Sequence, residues 1–92
     1  EKLGIDRFPI FAENARPLGL INVYDLLFDT DSSHPVRQYM RRIITASENE
    51  SAYRVVRRLR AARIGLAAVI DRHQRSIGIV ALEDLVRQLV KA

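Results

Sequence analysis

Apolar positions in the middle of the chain recur with the period of an amphipathic helix. They stand three and four residues apart and form one stripe, made of Ala52, Val55, Val56, Leu59 and Ala62. Ser47 and Glu50 precede this stripe at the spacing of a capping box, so the helix is predicted to begin at Ser47. A short β-rich run, residues 42–46, comes before it and predicts a strand.

The pattern then changes to that of a hairpin followed by a second helix. Residues 66–70 and 77–81 are apolar runs joined by the polar segment 71–76, which predicts two antiparallel strands. Residues 82–90 return to helical spacing, with one apolar side made of Leu82, Leu85, Val86 and Leu89. The second half of the chain therefore predicts the order strand, helix, strand, strand, helix.

The chain is similar to itself at an offset of 59 residues, the separation of Asp25 and Asp84. At this offset residues 9–27 align with residues 68–86 without a gap. Four aligned positions are identical: Arg16 and Arg75, Gly19 and Gly78, Asp25 and Asp84, Leu26 and Leu85. Seven further positions are apolar in both segments. The match predicts one structural unit built twice, since internal repeats organise a whole fold. A chance match between two half-buried strand and helix segments is the alternative.

The first copy of the unit is incomplete within this sequence. Moving the second copy back by 59 residues places its capping serine and its first strand before residue 1. The remaining parts are the end of a helix at residues 1–5, a hairpin of residues 8–12 and 18–23, and a helix over residues 24–29. We therefore expect a first unit that is truncated at its N-terminus.

A polar segment separates the two copies. Residues 29–39 are rich in Asp and Ser, contain Pro35 and follow neither helical nor strand periodicity, so they are predicted to be a connector. The predicted division of the chain is a first unit with most of this connector, residues 1–38, and a second unit, residues 39–92.

Size and composition are those of one small soluble domain. The 92 residues are 48% hydrophobic, and 15 Lys and Arg against 11 Asp and Glu give a net charge of +4 that favours anionic partners. Cysteine is absent, which excludes disulfides and thiolate metal sites. No apolar run reaches the roughly 20 residues that cross a bilayer, and residues 1–4 do not resemble a secretory signal.

Short catalytic and metal-binding motifs are not found in the sequence. His34 and His73 are far apart, and neither has a His, Cys or acidic partner at ligand spacing, so no metal site is predicted. The sequence has no nucleophile motif and no glycine-rich phosphate loop. We therefore expect no catalytic residues and no enzymatic activity.

Arginines are concentrated in and after the central helix. Four of them are predicted to face solvent, opposite the apolar stripe: Arg54, Arg57, Arg58 and Arg60. Aromatic residues do not alternate with these arginines, so nucleic acid is not expected as a partner and is ranked last among the hypotheses. Arg63, at the helix end, either approaches a phosphate or packs its aliphatic stem on the core.

The repeated hairpin and helix resemble a known family. The resemblance is carried by residues 51–89, above all by Gly78-Ile79-Val80 and Leu82-Glu83-Asp84, and by the runs Arg7-Phe8-Pro9-Ile10-Phe11 and Asp25-Leu26-Leu27. These residues look like the tandem CBS-domain pair, or Bateman module, of hemolysin-like, CorC-type proteins linked to magnesium and cobalt efflux. The resemblance implies an α+β fold of β-α-β-β-α units related by pseudo-two-fold symmetry.

The resemblance also implies where a nucleotide would bind. In CBS pairs that bind nucleotide, the Asp at the start of the last helix accepts hydrogen bonds from ribose, and the residue three positions earlier contacts phosphate. Asp84 and Asp25 would then be the ribose ligands of two sites, with Ala81 and Asn22 at the phosphate-contacting position. The base of the second site would be flanked by Thr45, Gly65 and Leu66.

The sequence departs from the family pattern at several positions. Ala81 has no hydroxyl to offer a phosphate, a loss of about 1 kcal/mol if nothing compensates. Gly65 replaces a His that many relatives carry, and Arg87 and Gln88 stand where acidic residues are common. Because the first unit also lacks its first strand, the second site is the one expected to bind.

The resemblance implies a non-catalytic regulatory module that binds AMP, ADP or ATP, with no tightly bound cofactor. It would modulate an attached ion-transport domain from the cytoplasmic side of an inner or plasma membrane. The expected partners are that transmembrane domain and a second copy of the chain, as a homodimer. The alternative is a dimerisation or protein-interaction module that has lost nucleotide binding.

Overall fold

Two three-stranded sheets and three α-helices make up the described part of the fold. The computed structural model describes residues 6–31 and 33–91. The elements are β1 (Arg7–Phe11), β2 (Pro17–Asn22), α1 (Val23–Leu27), a 3₁₀ helix (Val36–Tyr39), β3 (Met40–Arg41), β4 (Ile44–Ser47), α2 (Ala52–Ala62), β5 (Leu66–Ile70), β6 (Ser76–Ala81) and α3 (Leu82–Lys91). The predicted α+β class is confirmed, while the helix end predicted at residues 1–5 lies outside the described residues. Within the described part of the chain, no helix is both long and apolar enough to cross a membrane.

The two sheets differ in strand direction. In the first sheet, β2 lies between β1 and β3 and pairs with both in antiparallel fashion. In the second sheet, β5 lies between β4, to which it is parallel, and β6, to which it is antiparallel. The parallel pair requires a crossover, and α2 provides it.

The two hairpins repeat each other down to single backbone hydrogen bonds. Ala15 and Gln74, which are 59 residues apart, both adopt left-handed φ angles, of 67° and 69°. The N–H of Ala12 donates to Arg16 O over 2.9 Å, and the N–H of Asp71 donates to the carbonyl of Arg75 over 3.0 Å. Both hairpins also carry a register irregularity at the same position, next to the turn. A chance match between the two sequence segments does not explain this shared backbone geometry.

The repeat continues into the helices that follow. The N–H of Val23 donates to Asp6 O over 2.7 Å, and at the offset of 59 the N–H of Leu82 donates to Gly65 O over 2.8 Å. Each bond fixes the first residue of a helix beside the start of its hairpin. Asp25 and Asp84 therefore occupy the same position, in the first turn of α1 and of α3.

The hairpin turns of the two repeats contact each other. The N–H of Ser76 donates to the carbonyl of Ala15 over 2.7 Å. The equivalent bond would join Pro17 to Gln74, which line one small cavity, but proline has no N–H to donate. Equivalent residues of the two turns therefore face each other, as in a two-fold arrangement, but only one of the two equivalent hydrogen bonds can form.

The core of the second repeat confirms the predicted apolar stripe. Val55, Val56 and Leu59 of α2 are buried, and Leu59 is fully inaccessible. Val55 and Leu59 pack with Ala46 of β4 and Ala67 of β5. The small alanines let α2 lie close to the sheet, so the helix completes the parallel β-α-β unit.

The predicted start of the central helix is wrong. Ser47 pairs with Ile70 as the last residue of β4, and α2 begins only at Ala52. The cap is Ser51, whose Oγ accepts a hydrogen bond from the N–H of Arg54 over 3.3 Å. Glu50 does not cap the helix but accepts from Arg58 Nη1 at 2.8 and 2.9 Å. Arg58 is therefore half-buried, which corrects its predicted solvent-facing position.

The predicted strand over residues 42–46 is confirmed only in its second part. Ile44–Ser47 forms β4 in the second sheet, while the preceding β3, Met40–Arg41, belongs to the first sheet. Residues 42–43 belong to neither strand because the chain crosses there from one sheet to the other. The first two residues of the predicted strand are therefore part of the link between the two sheets.

The connector is ordered by hydrogen bonds around Asp29. Tyr39 Oη donates to Asp29 Oδ2 over 2.6 Å, and the N–H of Asp31 donates to Asp29 Oδ1 over 2.9 Å. His34 joins this network, because its Nδ1 lies 3.0 Å from Asp29 Oδ2 and its Nε2 lies 3.4 Å from Asp31 Oδ2, contacts that the sequence spacing did not predict. The segment is thus a closed loop that ends in a 3₁₀ helix, not an irregular linker.

The equivalent glycines Gly19 and Gly78 provide a matched test of the first sheet. A Cβ at Gly19 would lie 2.9 Å from Arg41 O, whereas a Cβ at Gly78 would meet no atom of the described residues within 4 Å. We expect Gly19→Ala to lower the free energy of unfolding by about 1–3 kcal/mol, because β3 must shift. Gly78→Ala should change it by less than about 0.5 kcal/mol. Urea denaturation measures both, and equal effects would contradict the packing of β3 against β2.

The hydrogen bond between Asp29 and Tyr39 predicts a pH dependence. It is the largest cause that lowers the pKa of Asp29 from 3.8 to about 2, and it raises the pKa of Tyr39 from 10.0 to about 12. Its contribution to stability is complete between 3.8 and 10.0, is lost as the pH falls towards 2 and is lost as the pH rises towards 12. Tyr39→Phe should move the Asp29 pKa up towards 3.8, which a carboxyl NMR titration measures. The control is the exposed Tyr53→Phe, which should leave the Asp29 pKa unchanged.

Candidate anion-binding cleft between the repeats

An open cleft of about 450 Å³ lies between the two repeats. Four arginines line it, together with apolar and small residues of both repeats; the lining residues are Arg7, Leu20, Asn22, Arg41, Arg42, Ala62, Arg63, Ile64 and Gly65. Arginine is the side chain best suited to bind phosphate or carboxylate groups, because its planar fork donates paired hydrogen bonds. The cleft is therefore the candidate site for an anionic ligand.

The end of α2 delivers one wall of the cleft. Arg63 ends the helix in a left-handed conformation with φ of 58°, and the N–H of Ile64 donates to Leu59 O over 3.0 Å. This closing turn reverses the chain from α2 towards β5. This turn places Arg63, Ile64 and Gly65 at the cleft. Arg63 was predicted either to approach a phosphate or to pack on the core, and its position at the cleft is compatible with the first.

Arg41 forms the opposite wall and is fixed by Asp25. Pairing of β3 with β2 sets Arg41 opposite Leu20. Arg41 Nε and Nη2 then donate to the two carboxylate oxygens of Asp25, each over 2.8 Å. The hydrogen bonds and the charge of Asp25 raise the pKa of Arg41. Asp25, predicted as a ribose ligand, is therefore engaged by an arginine.

Arg7 crosses from the first repeat to the second. Its guanidinium lies against Gly65, at a place that a Cβ of residue 65 would occupy. Arg7 Nε lies 3.2 Å from Asp6 Oδ1, and Nη2 lies 3.6 Å from Glu83 Oε2 in the first turn of α3. The Arg7 side chain is 26% exposed, so it fills part of the cleft and still reaches solvent.

Arg42 and Arg63 complete the charged lining. Among residues 6–31 and 33–91, neither forms an ion pair with a carboxylate, in contrast to Arg7 and Arg41. An arginine without a carboxylate partner leaves its charge available to a ligand. The positive field of the cleft therefore comes mainly from Arg42 and Arg63.

Two of the predicted nucleotide-binding residues line this cleft. Asn22 caps α1, accepting a hydrogen bond from the N–H of Tyr24 over 2.9 Å, and Gly65 lies at the start of β5. Asp84 lies close by in the chain, one residue after Glu83, but it is exposed and its Oδ1 accepts from Arg87 Nη1 over 3.1 Å. The equivalent carboxylates of the two repeats thus have different partners.

The remaining predicted residues lie behind or away from the cleft. Ala81 pairs with the buried Leu66 across β5 and β6, next to Gly65. Thr45 lines a separate cavity of about 160 Å³, and its carbonyl accepts from Arg58 Nη2 over 2.8 Å. The structure therefore does not unite all seven predicted residues in one cavity.

Sequence reasoning missed three of the four cleft arginines. Only Arg63 was considered as a phosphate contact, while Arg7, Arg41 and Arg42 were not. The Arg41-Arg42 pair lies where the chain passes from one repeat to the other, and that position was the available signal. Their convergence with Arg7 depends on pairing between β2 and β3, which no local pattern reports.

Fold and cleft together define a small α+β module built from two repeated units with an arginine-lined cleft between them. The family model for the CBS domain matches residues 36–91. The chain therefore belongs to the CBS domain family, as the sequence resemblance implied.

Relatives and solved structures agree with this assignment. Inosine-5′-monophosphate dehydrogenase of Escherichia coli strain K12 is 30% identical over 87 residues, which are 91% of this chain and 18% of the relative. The chain thus spans about a fifth of the length of such curated relatives.

Solved structures of CBS domains are similar to this chain. A hemolysin-like protein containing a CBS domain, from Oenococcus oeni PSU, is 26% identical, with a TM-score of 0.80, covering 95% of this chain and 67% of its own. The CBS domain of a bacterial CNNM/CorC family Mg²⁺ transporter in complex with ATP is 24% identical, with a TM-score of 0.81, covering 92% of this chain and 63% of its own. These neighbours confirm the resemblance to hemolysin-like and CorC-type proteins.

Proposed function

We propose that the chain is a non-catalytic regulatory module that binds an adenine nucleotide between its two repeats. The observation that carries the proposal is the cleft lined by Arg7, Arg41, Arg42 and Arg63. Arg42 and Arg63 carry charges that no carboxylate of the described residues pairs with. Like charges in one cleft repel each other, so an anion bound there is stabilising. A nucleotide supplies that anion through its phosphates.

The family supports the choice of ligand. A CBS domain with the same fold, that of the CNNM/CorC transporter, has been solved in complex with ATP. In the present chain we assign the phosphates to the arginines, because Ala81 has no hydroxyl to offer them. Asp84, exposed at the start of α3, is assigned to the ribose hydroxyls as a charged acceptor.

The second repeat is the stronger candidate for the nucleoside part. Asp25 is held by Arg41, so a ribose would have to break two hydrogen bonds of 2.8 Å to reach it. Among the described residues, Asp84 is bound only by the exposed Arg87, at a single oxygen. Gly65 and Leu66 at the start of β5 would then lie beside the base, as the family pattern predicts, with Thr45 more distant.

A ligand in this cleft is suited to regulation because both repeats line it. Binding there favours whichever arrangement of the units, residues 1–38 and 39–92, gives the higher affinity. We propose that the change is passed to an attached ion-transport domain of a membrane protein, on its cytoplasmic side. The relatives with CBS domains in Mg²⁺ transporters support this context.

Calorimetric titration with ATP, ADP and AMP tests the proposal. Asp84→Ala should lower nucleotide affinity about tenfold, since a charge-assisted hydrogen bond is lost. The control is Glu13→Ala, which removes an exposed carboxylate in the first hairpin turn and should leave affinity unchanged. Absence of binding at millimolar nucleotide, or equal affinity in the wild type and Asp84→Ala, would count against the proposal.

A dimerisation module is the second candidate, and exposed apolar side chains favour it. Leu27 and Phe28 at the end of α1 are 69% and 79% exposed, and Val90 of α3 is 80% exposed. Apolar residues gathered at helix ends are typical of surfaces that another protein covers. We propose that a second copy of the chain covers them, by an isologous contact.

Sedimentation velocity measures this association. Phe28→Ser should weaken the dimer about tenfold or more, because a large apolar side chain leaves the interface. Val36→Ser, at a comparably exposed apolar residue of the connector, serves as the control and should leave association unchanged. A chain that stays monomeric at high micromolar concentration contradicts the dimer.

A further inference from the structure

Arg7 is held between the two repeats by weak contacts. Its Nη2 lies 3.6 Å from one oxygen of Glu83, whose side chain is 64% exposed, and its Nε contacts one oxygen of Asp6 over 3.2 Å. Exposed, single-oxygen ion pairs contribute little because water competes for both charges. Arg7 is therefore able to exchange Glu83 for another anion at small cost.

Arg41 does not have this freedom. Both oxygens of Asp25 accept from it over 2.8 Å, the bidentate geometry of a strong pair. Arg42 and Arg63 stand at the other extreme, since neither forms an ion pair with a carboxylate of the described residues. The cleft thus offers two free arginines, one exchangeable arginine and one fixed arginine.

We infer that Arg7 makes the cleft selective for anions with two or more linked phosphates over monophosphates. The inference rests on the proposed function as far as the ligand carries a nucleoside. The binding of linked phosphates by the arginines does not depend on a nucleoside. Arg42 and Arg63 bind the first phosphate, and Arg7 leaves Glu83 to bind the next one along. A monophosphate is bound by Arg42 and Arg63 alone, so Arg7 does not raise its affinity.

Gly65 makes the position of Arg7 possible. The backbone of Gly65 is not in the left-handed region, so its conformation is open to other residues. The space beside Gly65 is not open to a larger residue, because a Cβ at this position would collide with the guanidinium of Arg7. A larger residue at this position would push Arg7 out of the cleft, so Gly65→Ala removes Arg7 from the site without removing its charge from the protein.

Calorimetric titrations of the protein with ATP, AMP and inorganic tripolyphosphate test the inference. Arg7→Gln should weaken ATP and tripolyphosphate binding about tenfold and leave AMP affinity unchanged. Glu83→Gln, which frees Arg7, should tighten ATP and tripolyphosphate binding about threefold. Gly65→Ala should act like Arg7→Gln on tripolyphosphate binding, and Arg72→Gln, the same charge change in the second hairpin turn, should have no effect.

The outcomes separate this inference from the proposed function. ATP binding that is equal in the wild type and Arg7→Gln overturns the inference alone. Tripolyphosphate binding that depends on Arg7 and matches ATP binding supports the inference and overturns the nucleotide proposal, and no binding of either overturns both. Glu83→Gln also removes a negative charge near the cleft, so its gain supports the inference only where Gly65→Ala in the same chain abolishes it. A gain that persists with Gly65→Ala overturns the inference, and this comparison decides even if Arg7→Gln folds poorly.

Discussion

Each repeat depends on one backbone hydrogen bond, which joins the first residue of a helix to the residue before its hairpin. Val23 to Asp6 and Leu82 to Gly65 are the two examples. The bond closes the hairpin and helix into a unit, because it fixes the helix start beside the first strand. Gly65 therefore has two roles: its carbonyl accepts the hydrogen bond from α3, and the guanidinium of Arg7 lies against its Cα. The geometry of the cleft follows from this bond and from the contact between the hairpin turns.

The two repeats share a backbone and differ in their surroundings. Gly19 is covered by β3, whereas the equivalent Gly78 is open. Asp25 is bound twice by Arg41, whereas Asp84 is bound once by an exposed arginine. Both differences have one cause, which is that β3 joins only the first sheet. A duplicated motif therefore provides one carboxylate that fixes an arginine and one that remains accessible to a ligand.

Sequence reasoning was successful where contacts are local and failed where they are distant. The hairpins, the α2 stripe and the equivalence of Asp25 and Asp84 follow from periodicity and from the repeat. The cap was placed at Ser47 instead of Ser51 because both serines precede the helix, and only pairing with β5 shows that Ser47 belongs to a strand. The arginine cleft was missed for the same physical reason. Arg7, Arg41 and Gly65 are distant in sequence, and sheet pairing brings them together.

The connector completes the cleft through its own hydrogen bonds. Asp29, just after α1, accepts from Tyr39, which immediately precedes β3. This bond brings the two ends of an eleven-residue segment together, so the chain enters β3 at a fixed place. Arg41 and Arg42 follow within three residues, and their positions depend on that entry point. A polar segment with no regular periodicity thus sets the position of two of the four cleft arginines, which is why its ordered hydrogen bonds belong to the architecture of the anion site.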